Sequence, residues 1–125
     1  MGGEGGRTHV KSVLVVDDEH SLRLLCRVNL ELDGHRVREA GTLTEARDQI
    51  EYELPDVILL DIHVGNEDGL ELLDEILALE LPVRVVLLSG TSEVGPGLRS
   101  RVDGVLGKPF ELGLLAAAVA GCSVR

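Results

Sequence analysis

Five side chains in this 125-residue sequence have the types that phosphoryl chemistry needs: the carboxylates Asp17, Asp18 and Asp61, the hydroxyl of Ser89 and the ammonium of Lys108. Mg²⁺ takes an octahedral set of oxygen ligands and keeps several waters, so one or two carboxylates suffice to hold it; Mn²⁺ accepts the same donors. Asp18 and Asp61 can bind such a cation directly and Asp17 directly or through water, with a backbone carbonyl from the following loop completing the sphere. The Asp61 carboxylate can then act as a nucleophile toward an activated phosphoryl group and form an acyl phosphate. Lys108 and the metal would offset charge on the transferring oxygens, and the Ser89 hydroxyl would donate a hydrogen bond to one of them. Three clustered carboxylates without a cation repel one another, so one pKa should rise. A lone Asp is more often an ordinary loop residue; the combination carries the reading.

These residues have to be brought together by the elements that precede them. Val13–Val16, Val57–Leu60 and Val83–Leu88 are continuous apolar runs rich in β-branched residues, the pattern of strands buried on both faces of a parallel sheet. Residues 35–39 and 104–107 are weaker strand candidates. Helical patterns lie between them. Leu22, Leu25, Cys26, Val28 and Leu32 are expected to share the core-facing side of a first helix. Thr42 and Glu45 have capping-box spacing, which predicts a second helix over 43–52. A third is expected over 69–79 with Leu70, Leu73, Ile76 and Leu77 inward, and a last over 110–120. Strands alternating with helices imply βαβ units with right-handed crossovers. In such sheets ligands bind beyond the carboxyl ends of the strands, where Asp17-Asp18-Glu19, Asp61, Ser89-Gly90 and Lys108-Pro109 all fall.

Composition agrees with one domain built on an aliphatic core. Hydrophobic residues make up 44% and charged residues 27%, and Tyr52 and Phe110 are the only aromatics, a globular balance. The net charge of −10 argues against direct binding to nucleic acid or an anionic membrane surface. No apolar run reaches membrane-spanning length, and the Gly-rich start lacks the apolar stretch of a signal peptide. Cys26 and Cys122 suit a reducing cytoplasm rather than a disulfide framework. The expected organisation is a tail over 1–10, a domain over 11–121 and a short tail over 122–125.

From about Ser12 to Ala120 the chain resembles the receiver domains of two-component response regulators, the CheY-like family. The resemblance rests on Val15-Val16-Asp17-Asp18-Glu19, Asp61 with Asp68-Gly69 downstream, Leu88-Ser89-Gly90 and Lys108-Pro109-Phe110. It implies a flavodoxin-like, doubly wound (βα)5 α/β fold around a five-stranded parallel sheet. It implies transfer of a phosphoryl group to Asp61 from the phosphohistidine of a sensor histidine kinase or phosphotransfer protein. It also assigns Asp17, Asp18 and the His63 backbone carbonyl to the metal, and Ser89 and Lys108 to the phosphoryl group. These 125 residues hold no appended output domain, so the domain is either a single-domain regulator or part of something larger; standing alone, it would signal to an unknown protein target by docking, relay phosphoryl to another histidine, or drain a kinase.

Three departures from the family pattern bear on output. Val64-Gly65 replaces the usual Met-Pro after the acceptor, which predicts a more mobile loop. Val105 stands where the family carries an inward-swinging aromatic. Gly95-Pro96-Gly97 is a poor helix interior, so the fourth helix should be short or irregular. These changes favour, as an alternative, a degenerate receiver that binds a partner without phosphorylation; the intact acceptor set opposes it. A haloacid-dehalogenase-like phosphatase is a further alternative, but it wants a second Asp where His63 stands and the opposite order of motifs. His63 and Thr91, each two residues past a site residue, are either rate-tuning groups or solvated loop residues. Glu71, Asp74, Glu75 and Glu80 form an acidic stretch, ordinarily a solvated face and less often one that steers a basic partner.

Overall fold

A computed structural model describes residues 10–90 and 94–121. Residues 1–9 of the expected tail over 1–10, the tail over 122–125 with Cys122, and Thr91 lie outside the described residues. Five strands form one parallel sheet: β1 (Ser12–Val16), β2 (Arg36–Ala40), β3 (Val57–Asp61), β6 (Arg84–Ser89) and β7 (Gly104–Gly107), in the order β2-β1-β3-β6-β7. A separate two-stranded antiparallel hairpin, β4 (His63–Val64) with β5 (Glu67–Asp68), follows β3 directly. The helices are α1 (His20–Leu32), α2 (Leu43–Tyr52), α3 (Leu70–Ala78), α4 (Pro96–Arg99) and α5 (Leu112–Ala120). This is the doubly wound, flavodoxin-like arrangement.

The two faces of the sheet bury alternate residues of each strand, as a period of two requires. Leu14, Val16, Ile58, Leu60, Val85 and Leu87 meet α2 and α3 on one side. Val13, Val15, Val57, Leu59, Val86 and Leu88 meet α1 and α5 on the other. All residues of β1 and β3 are buried, which is why their sequences read as unbroken apolar runs. The strand order reverses direction between β1 and β3, so their carboxyl ends border the crevice where α/β sheets bind ligands. Asp17 follows one of these ends and Asp61 closes the other.

Several sequence expectations need correction. In α1 the core side is Leu22, Cys26 and Leu30, whereas Leu25, Val28 and Leu32 stay exposed alongside Leu24. The helix carries two apolar stripes, each at intervals of four and about 200° apart; the Leu22, Cys26 and Leu30 stripe meets the sheet, and the Leu24, Val28 and Leu32 stripe faces away. In α3, Leu72 joins Leu73 and Ile76 in the core, while Leu77 is 40% exposed. The last helix begins at Leu112 rather than Phe110; Lys108-Pro109 is a cis peptide, and Phe110 packs against the core before the helix starts. Helix α4 is one turn with no buried residue, in keeping with the glycines that flank and enter it.

The segment expected to be a loose hinge is instead the hairpin. Val64 pairs with Glu67, leaving Gly65-Asn66 as a two-residue connection, and Gly65 has φ +64. A positive φ at the first central position is the type II′ geometry, whose twist suits a hairpin. Glu67 then anchors the hairpin, its Oε1 accepting the Leu43 N–H in the first turn of α2 at 3.0 Å.

Candidate functional site

Strand ends deliver the site. Continuing out of β1, the Asp17 N–H donates to the Ala40 carbonyl at 3.1 Å, so the chain stays in register with β2 for one more residue before turning. Its side chain is fully buried; Oδ1 accepts the Glu19 N–H at 2.9 Å and Oδ2 accepts Lys108 Nζ at 2.8 Å. Asp61, the last residue of β3, accepts the same ammonium on Oδ2 at 3.0 Å and the His63 N–H on Oδ1 at 3.1 Å. Asp18 is exposed. The three aspartates bring one oxygen each to within 4.8 Å of one another. That donor set fits a hard divalent cation: oxygen ligands only, with one wall open for water.

Ser89 is buried at the end of β6, and its carbonyl accepts the Lys108 N–H at 2.6 Å. This bond extends the β6–β7 pairing to the residue that carries the ammonium, so two neighbouring strands set the height of Lys108 above the sheet. Lys108 then crosses to β1 and β3. The sequence reasoning therefore placed Asp17, Asp18, Asp61, Ser89 and Lys108 on one edge, and the structure brings them there. His63 lies at the base of the hairpin with its ring side exposed and its amide on Asp61. Val105 is half-buried in β7 against the α2–α3 side of the core.

Electrostatics act on Asp17 and Lys108 through the same contacts. Burial pushes the Asp17 carboxyl above its usual range, and the nearby Asp61 charge adds to this, against the Lys108 and Glu19 hydrogen bonds that pull it down. The direction is the one expected of clustered carboxylates, but burial is its largest cause and repulsion by Asp61 a smaller one. Burial acts to lower Lys108, but the hydrogen bonds and charges of Asp17 and Asp61 outweigh it and hold the ammonium above its ordinary value.

Two positioning residues were not found from sequence. Arg23 on α1 donates to the Asp17 carbonyl at 2.7 Å and pairs with Glu39 of β2 at 3.0 Å, tying the acidic loop to helix and sheet. In sequence nothing sets it apart from Arg27 and Glu31, the other charges on that helix. Gly69 was noted as part of a motif without a reason. Its N–H donates to the Ile62 carbonyl at 2.7 Å, and any Cβ there would collide with the Asp61 carbonyl oxygen. Glycine is needed for close approach, not for an unusual φ, which is −59°.

A domain of this topology, with an acidic trio at the β1 and β3 ends and a lysine bridging two of its members, has the architecture of a phosphorylation-controlled signalling domain. The model of the response regulator receiver domain matches residues 13–120, and the chain belongs to that family. It is 28% identical over 112 residues to sporulation initiation phosphotransferase F of Bacillus subtilis, covering 87% of this chain and 90% of that one. It is 37% identical over 109 residues to the KDP operon transcriptional regulatory protein KdpE of Escherichia coli, covering 85% of this chain but 48% of that protein. Several other curated relatives are likewise matched over about half their length. Among solved structures, a response regulator of Burkholderia pseudomallei with a phosphorylated aspartic acid, a calcium ion and citrate superposes with a TM-score of 0.76 at 28% identity, over 87% of this chain and 66% of that one. The chain is thus a receiver domain of two-component signalling, and the phosphatase reading is set aside. No helix among the described residues is long and apolar enough to cross a membrane.

Proposed function

We propose that Asp61 is the phospho-acceptor, taking a phosphoryl group from the phosphohistidine of a sensor histidine kinase or phosphotransfer protein. One Asp61 carboxylate oxygen forms a bond to phosphorus as the P–N bond breaks, and the donor imidazole keeps the electron pair. The observation that carries this reading is the shared ammonium: Lys108 Nζ lies 2.8 Å from Asp17 and 3.0 Å from Asp61, where it can follow the charge that develops on the transferred group. Ser89 supplies a hydroxyl at the end of the neighbouring strand. Asp17, Asp18 and the His63 carbonyl would hold Mg²⁺ or Mn²⁺, which supplies charge neutralisation when bound. The phosphorylated aspartic acid and calcium ion of the Burkholderia relative support this assignment.

The domain's partners on this reading are proteins of a cytoplasmic phosphorelay. A net charge of −10 gives the domain itself no purchase on nucleic acid phosphates. Acetyl phosphate with Mg²⁺ should label the protein. Asp61→Asn should abolish labelling, whereas Ser89→Ala and Lys108→Ala should retain the acceptor. Borohydride reduction followed by mass spectrometry locates the acyl phosphate; finding it on Asp17 or Asp18 would overturn the assignment.

A further inference from the structure

On the α2–α3 side of the molecule an apolar groove of about 450 Å³ is lined by Ile50, Leu54, Leu72, Ile76, Leu79 and Leu81. Leu72 and Ile76 are continuous with the core, but Leu79 is 70% exposed and Leu54 is 37% exposed. Folding has left large apolar side chains at the mouth of a concave surface, and a polar rim around such a patch marks an interaction site.

Arg47, Glu51 and Glu75 complete the lining, and the two segments that form the groove are acidic as a whole. Residues 43–54 and 70–81 contain eight carboxylates and a single basic residue, Arg47, so 1 − 8 = −7 of the chain's −10 lies on these two segments. Arg47 is already engaged, bonding both Glu75 oxygens at 3.0 and 2.8 Å across the groove. Arg101 pairs with Asp74 and Arg36 with Glu53. Asp48, Glu51, Glu71 and Glu80 have no ion-pair partner among the described residues.

Glu80 is also held in a conformation its side chain disfavours. Helix α3 ends with Leu81 N–H donating to the Ile76 carbonyl and Glu80 N–H to the Leu77 carbonyl, both at 3.1 Å. This is the Schellman closure, which wants glycine at the left-handed position. Helix α1 closes in the same way through His35 and Gly34, and there the residue is Gly34 at φ 93. At the equivalent place in α3 the chain keeps Glu80 at φ 51. Stability favours glycine; a carboxylate is retained between two leucines that line the groove. Strain kept at a surface site points to function.

We propose that the α2–α3 groove docks a basic amphipathic helix of a partner protein. Its apolar residues would occupy the space between Leu54 and Leu79, and its Lys or Arg side chains would face Glu51, Glu71 and Glu80. A second copy of this chain is a poor occupant, since a self-complementary interface would set this acidic rim against itself. The surface lies outside the acceptor site and its occupancy does not depend on that chemistry.

The test uses a fluorescent helical peptide with leucines on one face flanked by lysines, and a counterpart with glutamates in place of the lysines. The basic peptide should bind the full chain and the acidic one should not. Leu54→Ser with Leu79→Ser should weaken binding about tenfold, while Leu32→Ser, on the exposed stripe of α1, should leave it unchanged. Glu80→Gly should melt higher than wild type yet bind the basic peptide more weakly, a pairing that a purely structural role does not produce. The groove reading is overturned if neither peptide binds, if both bind alike, if Leu32→Ser is as damaging as the double variant, or if Glu80→Gly loses no affinity. Sedimentation showing a wild-type dimer that the double variant abolishes would assign the groove to a second copy instead. Labelling of Asp61 in the same variants keeps failure of this proposal distinct from failure of the acceptor assignment.

Discussion

Lys108 reaches Asp17 and Asp61, while Asp18, the exposed member of the trio, has no ion pair to it among the described residues. Three carboxylates against one ammonium leave a formal charge of −2 when all are ionised, the match of a divalent cation, and the exposed side is where it would enter. At the opposite ends of the strands a different residue sets a pH dependence. His35 is 4% exposed and its Nδ1 accepts the Lys11 N–H at 3.0 Å, so the ring is neutral in the fold. Burial lowers its pKa below the ordinary 6.5, with Lys11 adding to the shift and Asp33 opposing it. The unfolded chain therefore takes up a proton that the folded chain refuses. The contribution is fully present above about pH 6.5 and is lost as pH falls below it toward the lowered folded value. Thermal melts of wild type should decline between about pH 7.5 and pH 5.5, and His35→Gln, which keeps an acceptor but cannot titrate, should flatten that decline. An equal decline in the variant would remove His35 as its source.

At the scale of elements, legibility followed from how strongly each element's burial is written into its pattern. Strands β1, β3 and β6 were legible because both faces are covered, and α2 because Thr42 Oγ1 accepts the Glu45 N–H at 3.0 Å while Glu45 Oε1 accepts the Gly41 N–H at 2.7 Å. The hairpin was not, since two-residue strands have no periodicity to detect; Gly65-Asn66 is its one signal, whereas Val64-Gly65 read only as a more mobile loop. The α1 face was misjudged because an apolar side chain does not say whether it meets the sheet or water. The grouping of Asp17, Asp18, Asp61, Ser89 and Lys108 at one sheet edge was legible, since motif residues fall at strand ends, whereas Arg23 and Gly69 act through carbonyls that only the fold brings near. The hairpin also gives an element-scale prediction. Restoring the family's proline, Gly65→Pro, should destabilise the protein, because proline requires φ near −65° and the position holds +64. The cost should be at least about 1 kcal/mol, read as a lower denaturant midpoint with unchanged slope. A neutral or stabilising result would mean that the hairpin turn is not kept in solution.

For the molecule as a whole, the acidic trio couples site occupancy to stability. Asp17 is fully buried, and burial, with the nearby Asp61 charge adding to it, pushes its carboxyl above the usual range, which disfavours the ionised form. Lys108 offsets part of that cost. A cation held by the folded trio and not by the unfolded chain stabilises by mass action, by about 2.7 kcal/mol at a concentration about a hundredfold above its Kd. For a domain of this size that corresponds to a rise in Tm on the order of 10 °C. General screening must be separated from binding, since a chain of net charge −10 is stabilised by any salt that damps its self-repulsion. Melts should therefore compare MgCl₂ with KCl at equal ionic strength, in wild type and in Asp18→Ala. The expected result is a Mg²⁺-specific rise in wild type that Asp18→Ala loses, together with an Asp18→Ala Tm at or above that of wild type in KCl, because one of the repelling carboxylates has gone. A rise of equal size in both salts, or one that survives Asp18→Ala, would mean that the trio does not hold the ion.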